Sequence, residues 1–215
     1  MSKLSIFDVD KTLAHCNVSF AFGKYLYKKK FFSLLKMLGL VLCYAMHVIK
    51  ILPLQALHQI SFYFLFYKAS KNEIERLAQE FIDLEANSLI RKELELKLFQ
   101  LKAQNQIVWL QSSSPDFIIQ PLAKKLSADE FFATKYESDA SGRFTKILKI
   151  VDGHEKLNIL EKYLNENGIS AENVTFYSDS MLDLPMLSRV GTPIAVFPEH
   201  KLKEIAKKNS WSIIE

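Results

Sequence analysis

The chain has 215 residues, 49% of them hydrophobic and 24% charged, which suits one domain or one domain carrying a large insert. Its 16 Phe and 8 Tyr exclude a solvated coil, its 6 Gly and 6 Pro exclude a collagen-like chain, and Cys16 and Cys43 are too few for a disulfide framework. The net charge of +4 is unevenly spread: from Lys11 to Ser70 there are eight lysines and no Asp or Glu, while the remainder is net acidic. A basic, apolar block of this kind suits anionic partners, whether phosphate groups or an anionic lipid surface, or else a helical subdomain with a solvated lysine face. Met1-Ser2-Lys3 is followed at once by a short apolar run, so no leader is expected and the cysteines are expected reduced, in a cytoplasmic setting.

Leu4 to Asp8 reads as a short buried strand. Phe20 to Tyr67 is helical and nearly all apolar, with Gly39 and Pro53 as the expected interruptions. Ser70-Lys-Asn-Glu73 has the form of a capping box, and Ile74, Leu77, Ala78, Phe81 and Ile82 then share one helical face. A second helix is expected over 89–104. Ile107 to Leu110 is a second buried strand, followed by Ser112-Ser-Ser-Pro115 and a helix over 116–126. Strand-like pieces flank a turn at Ser141-Gly142. A helix over 154–167 stops at Gly168, a third strand runs from Val174 to Tyr177, and a further strand and amphipathic helix follow at 192–197 and 201–208.

Strands alternating with helices predict an α/β fold with a mostly parallel sheet, whose working residues sit at the carboxyl ends of the strands. Three strands end in polar groups: Asp8-Val-Asp10-Lys-Thr12, Ser112 to Ser114, and Asp179 to Asp183. If those strands are neighbours, the tips converge. Lys156, after a Gly153-His-Glu turn, adds a positive charge. A lone D-x-D-x-T is a weak signal; the four pieces together are a stronger one.

In this order they resemble the motifs of the haloacid dehalogenase superfamily of phosphotransferases, most specifically at Asp179-Ser-Met-Leu-Asp183-Leu-Pro-Met-Leu187. The insert after the first motif resembles the helical cap of the phosphoserine-phosphatase-like branch. The resemblance implies a Rossmann-like core over 1–13 and 105–215 with a helical cap over 14–104. It also implies a phosphomonoester phosphatase. Asp8 would be the nucleophile that forms an aspartyl-phosphate, and Asp10 the general acid and base. Thr12, Ser112 and Lys156 would bind phosphate. Mg²⁺ would be held by Asp8, the backbone carbonyl of Asp10 and Asp179, with Asp183 reaching it through water or orienting Lys156. Asp10 favours phosphoryl transfer over dehalogenation, in which no leaving alkoxide needs a proton. Lys11 departs from the family, where Gly is commonest. Ser113 and Ser114 are expected as turn residues, and His154 as a residue beside the lysine with a possible substrate contact.

The cap bears on the substrate. Phosphoserine phosphatases carry an acidic residue and an arginine for the amino acid; here Asn17 stands where the acidic group is expected, and no Arg precedes Arg76. The runs Met37 to Ile49 and Ile51 to Tyr67 carry no charge and fall short of the ~20 residues of a spanning helix. They predict buried cap helices, or a hairpin that meets an anionic membrane with Lys28-Lys-Lys30 on the headgroups. The motifs and cap also loosely resemble the bacterial phosphatidylglycerophosphatases, which implies a phospholipid phosphate. A small soluble phosphate (sugar, polyol or phosphoserine-like) is the alternative substrate, and a catalytically silent membrane-associated module the alternative class. No nucleic-acid partner is expected.

Overall fold

The computed structural model describes residues 3–215. Met1 and Ser2, where the chain was read as free of a leader, lie outside the described residues. Seven strands form one sheet in the order β4-β3-β2-β1-β5-β6-β7. They are β1 Leu4–Asp8, β2 Ile107–Pro115, β3 Glu130–Ser138, β4 Phe144–Lys149, β5 Val174–Ser178, β6 Thr192–Val196 and β7 Ser212–Ile214. All neighbours are parallel except β3 and β4, which form a hairpin. The hairpin turns at Gly142, whose φ of 72° suits a residue without Cβ. The three tips do converge, because β1 lies between β2 and β5.

Alternation along each central strand sorts the core onto the two sheet faces. Leu4, Ile6, Trp109, Val174 and Phe176 pack on one side with α7 Gly153–Asn167, α8 Leu184–Leu187 and α9 His200–Lys208. Phe7, Val108, Leu110 and Tyr177 pack on the other with α5 Lys92–Ala103 and α6 Asp116–Lys125. Phe7 and Tyr177 stack across neighbouring strands with ring centres 4.2 Å apart.

Between β1 and α5 lie α1 Val18–Lys28, α2 Leu34–Val48, α3 Leu54–Ser61, a wide turn at Phe62–Phe66, and α4 Lys71–Leu89. Ser70 caps α4 as expected: its hydroxyl accepts from the Glu73 amide. Ile74, Leu77, Ala78, Phe81 and Ile82 are all buried. The break expected at Gly39 is absent. Gly39 sits inside α2, where a Cβ would meet only the Phe64 ring at 3.7 Å, so nothing forces the helix open there. The break expected at Pro53 is present and a further one follows Lys28, with Lys50 and Lys30 adopting left-handed φ of 63° and 58°. At the foot of these helices Ala14 and Ile90 pair as an antiparallel bridge, and the Arg91 amide donates to the Leu13 carbonyl. The helix α5 lies beyond that bridge and packs on β2. The short last strand β7 was not anticipated, since three residues carry no readable periodicity.

Candidate active site

Asp8 closes β1 and is buried at its carboxyl end. A wide turn at Val9–Leu13 follows, in which Lys11 has φ of 61°. The left-handed geometry accounts for the family's preference for glycine. Here the Lys11 side chain is exposed, as its tolerance requires, and Arg91 donates from Nε to the Thr12 carbonyl at 3.1 Å. Arg91 in turn lies 3.9 Å from the centre of the Phe197 ring.

Lys156 reaches the site from the first turn of α7, whose cap residue Asp152 accepts from the Glu155 amide at 3.0 Å. Gly153 makes this approach feasible: a Cβ there would lie 1.8 Å from the Leu182 carbonyl oxygen. The Lys156 ammonium donates to Asp8 Oδ1 at 2.6 Å and to Asp183 Oδ2 at 2.8 Å. Asp183 also accepts from the Ser178 hydroxyl at 2.7 Å, so it orients the lysine. Behind the lysine, Gln111 pairs in register with Asp8 and donates to the Lys156 carbonyl at 3.3 Å.

Burial pushes the Asp8 carboxyl well above the usual carboxylate range; Lys156 opposes the shift, and Asp183, Asp179 and Asp10 add to it. Burial would by itself lower the Lys156 ammonium, but Asp183 and Asp8 reverse this and raise it above its ordinary value. Burial lifts Asp179 to about 6, with the Thr12 hydrogen bond opposing and the Asp183 charge adding.

Two expected phosphate ligands are engaged elsewhere. Thr12 is fully buried; its hydroxyl donates to Asp179 Oδ1 and accepts from the Asp179 amide, both at 2.9 Å. It therefore fixes the position of Asp179, because its single proton is already used. Ser112 is also fully buried, and its hydroxyl donates to Asp10 Oδ2 at 2.7 Å. Of the serines after β2's apolar run, those bordering the cavity are Ser113 and Ser114. Ser114, expected as a turn residue, donates to Asp10 Oδ2 at 2.8 Å. It accepts from Ser19, on α1, at 2.6 Å. The Val18 amide, opening the same helix, donates to Asp10 Oδ1 at 2.7 Å. Asp10 is thus held jointly by β2 and by a helix of the insert. Nothing in the sequence signals Ser19. Ser178, by contrast, directly precedes Asp179 at the strand tip and could have been read with it.

These groups floor a cavity of about 1130 Å³ roofed by α1, α2, α3 and the turn after it. The roof contributes Phe20, Leu40, Tyr44, Leu57, Leu65 and Phe66 among others, and no Asp, Glu or Arg. Asn17 borders the cavity while its side chain caps α1, accepting from the Phe20 amide. His154 also borders it. A second hollow of about 390 Å³, between Leu187 and Trp211, contains none of this machinery.

The sequence profile of the haloacid dehalogenase-like hydrolases matches residues 6–188. The chain belongs to this family. Over 99% of its length it is 28% identical to a phosphoserine phosphatase of Mycobacterium tuberculosis, covering 70% of that protein. Over 48% of its length it is 32% identical to a histidinol-phosphatase of Neisseria meningitidis, covering 49% of it. Among solved structures, a Bordetella pertussis protein of unknown function superposes with a TM-score of 0.86 at 21% identity, covering 100% of this chain and 99% of that one. A substrate-bound phosphoserine phosphatase superposes with a TM-score of 0.72 at 20% identity, covering 100% and 93%. This haloacid dehalogenase-like hydrolase is a phosphatase with the Rossmann-like α/β fold of that family.

The donor chemistry fits a hard divalent cation. Asp8 and Asp179 are buried carboxylates whose protonation is favoured by burial and mutual repulsion, a penalty that a cation between them would relieve. Among the described residues, no three His, Cys, Asp or Glu side chains form a ready-made metal cluster. A cation here would complete its shell with backbone carbonyl and water, which is how Mg²⁺ is commonly held.

Proposed function

We propose that the chain hydrolyses phosphate monoesters through an aspartyl-phosphate on Asp8, acting on a substrate whose body is large and apolar. The observation that carries the reading is the pairing of Asp8 with Lys156 on the floor of a cavity of about 1130 Å³ whose roof is mostly apolar, with His47, Gln55 and His58 among its polar residues, and carries no carboxylate or arginine. Such a volume exceeds the 300–1,000 Å³ of ordinary small-molecule sites.

In the first step an Asp8 oxygen bonds to phosphorus as the ester oxygen leaves, taking a proton from Asp10. In the second, Asp10 removes a proton from water, whose oxygen attacks phosphorus and releases Asp8 and inorganic phosphate. Lys156 balances charge on Asp8 and on the phosphoryl oxygens. Ser113 and Ser114 border the cavity and are the serines placed to contact the substrate. Ser112 becomes a donor to phosphate when it exchanges its Asp10 partner. Asp8, the Asp10 carbonyl and Asp179 would hold Mg²⁺, with Asp183 acting at one remove, and the ion would supply charge neutralisation for the approaching dianion. Thr12 keeps Asp179 in place. Among the described residues the catalytic core would comprise 3–13 and the chain from the neck at Ile90 onward; the cap would lie between, its far limit drawn back from residue 104 because α5 packs on β2.

A phosphoserine-like substrate needs countercharges for its ammonium and carboxylate, and the cap side of the cavity presents none of the usual acidic and arginine residues. A phospholipid phosphate, such as phosphatidylglycerophosphate, matches the apolar roof better. The test is phosphate release in Mg²⁺ from phosphatidylglycerophosphate, lysophosphatidate, phosphoserine, histidinol phosphate and a sugar phosphate, with Asp8→Asn as control. The lipid phosphates should give the highest kcat/KM, and Asp8→Asn should give none while keeping its far-ultraviolet circular dichroism. Preference for phosphoserine would overturn the substrate reading, and an active Asp8→Asn would overturn the mechanism.

A further inference from the structure

The helix α2 is apolar on both of its faces. Met37, Leu40 and Tyr44 turn inward to roof the cavity, and Leu40 is its one buried residue. The opposite side carries Leu35, Leu38, Leu42 and, just past the end, Ile49, all exposed. Leu35, Leu42 and Ile49 recur at intervals of seven, so they form one stripe along the helix. Their exposures of 80%, 62% and 64% are those of side chains with almost nothing over them. The stripe widens through Ile51, Tyr63 and Phe64, which are exposed too. An apolar-all-round helix on a protein surface is ordinarily covered by something.

Charge indicates what covers it. Lys28 and Lys30 precede the helix, Lys36 lies in its first turn, and Lys50 follows it; all four are exposed, and no ion pair is recorded for any of them among the described residues. Lys29 differs from its neighbours because Glu80 pairs with it at 2.5 Å. The whole stretch from Lys11 to Ser70 contains no carboxylate side chain. Apolar stripe between cationic ends is the pattern of a helix lying in a bilayer interface, with lysines on anionic headgroups. At 15 residues α2 is about 22 Å long, less than the ~30 Å hydrocarbon core, and no described helix is long and apolar enough to cross a membrane.

We propose that the outer stripe of α2 docks on an anionic bilayer, lying flat on it with the flanking lysines on the headgroups. A second copy of this chain could also cover an apolar stripe, but it would bring the same uncompensated lysines against each other, whereas an anionic surface neutralises them. The inference rests on the phosphatase reading only for its use, not for its evidence.

The experiment is co-sedimentation of the full chain with vesicles of phosphatidylcholine alone and of phosphatidylcholine with phosphatidylglycerol. Hydrolysis of a soluble aryl phosphate is followed on the same samples. Binding should require the anionic lipid and weaken at 1 M salt, where the screening length falls to about 3 Å. The combined change Leu35→Asn, Leu38→Asn and Leu42→Asn should abolish it, and none of these three side chains borders the cavity. Replacing Lys28, Lys30 and Lys36 with Gln should weaken binding roughly a hundredfold, at about fivefold per lysine. Both variants should hydrolyse the aryl phosphate at the parental rate. No binding to anionic vesicles at low salt overturns the proposal, as does a concentration-dependent dimer that the leucine changes dissociate. Vesicle binding without aryl phosphate hydrolysis would leave the docking surface standing and overturn the catalytic reading instead.

Discussion

Asp10 accepts three hydrogen bonds, from the Val18 amide and the Ser112 and Ser114 hydroxyls, and two of the three donors belong to or connect with the insert. In its proposed role as general acid, Asp10 would respond to where the cap sits. Replacing Ser114 with Ala removes one donor to a carboxylate and the link to Ser19. A hydrogen bond of that class is worth ~1.5 kcal/mol or more, about tenfold in rate. The expected outcome is a kcat about tenfold lower on an alkyl phosphate, with a smaller loss on an aryl phosphate, whose leaving group needs little protonation. An equal loss on both would assign Ser114 to phosphate binding instead. The aspartates and the lysine were legible in the sequence because their spacing from strand ends is local. The partners of Thr12, Ser112 and Asp10 were not, since they depend on contacts such as Ser19 with Ser114, which only the folded chain brings together.

At the scale of elements, α7 and α3 each carry a constraint that can be measured. The first residue of α7 is Gly153 because a side chain at that position would run into the Leu182 carbonyl, while the Asp152 cap sets where the helix starts. Gly153→Ala must push α7 from the turn bearing Asp183, and so carry Lys156 away from Asp8. Overpacking of this kind costs ~1–3 kcal/mol or more; thermal unfolding should show that loss, and turnover should fall further than stability alone explains. On α3, burial and the nearby His47 lower His58 to about 4, against the opposing pull of Asp152. A histidine whose folded value lies below its unfolded one stabilises the fold above pH 6.5 and loses that contribution as pH falls toward 4. Between pH 7 and pH 5 the loss is ~2 kcal/mol. His58→Gln should therefore flatten the decline in melting temperature over that range, and a decline of unchanged slope would assign it to other groups. Helix positions in the insert were readable from periodicity, but the break at Gly39 was not real. A glycine ends a helix only where the chain needs its freedom, and here the Phe64 ring leaves α2 undisturbed.

Across the whole molecule, four aspartates meet one lysine at the junction of sheet and insert. A divalent cation that binds this folded arrangement and not the unfolded chain stabilises it by ~2.7 kcal/mol at a hundred times its dissociation constant. Mg²⁺ should accordingly raise the melting temperature by about 5–10 °C, and chelation should remove both that gain and turnover. An unchanged melting temperature in Mg²⁺ would argue that no cation sits between Asp8 and Asp179. The parallel sheet and the convergence of its tips followed from alternating strands and helices. The seventh strand and the bridge at the foot of the insert did not, because both are set by pairing across the chain, at Ile194 with Ser212 and at Ala14 with Ile90.

That last pairing bears on the order in which the chain assembles. The strand β1 must find β2, Leu4 against Ile107, across the entire insert. A search over so long a loop is slow when the intervening chain is a coil. Once Ala14 and Ile90 are joined, with the His15 amide on the Leu89 carbonyl and the Arg91 amide on the Leu13 carbonyl, the loop still to be closed between β1 and β2 shrinks to α5 and its flanks. The contacts within the insert are sequence-local, so the roof of the cavity also shortens the search by which β1 and β2 meet.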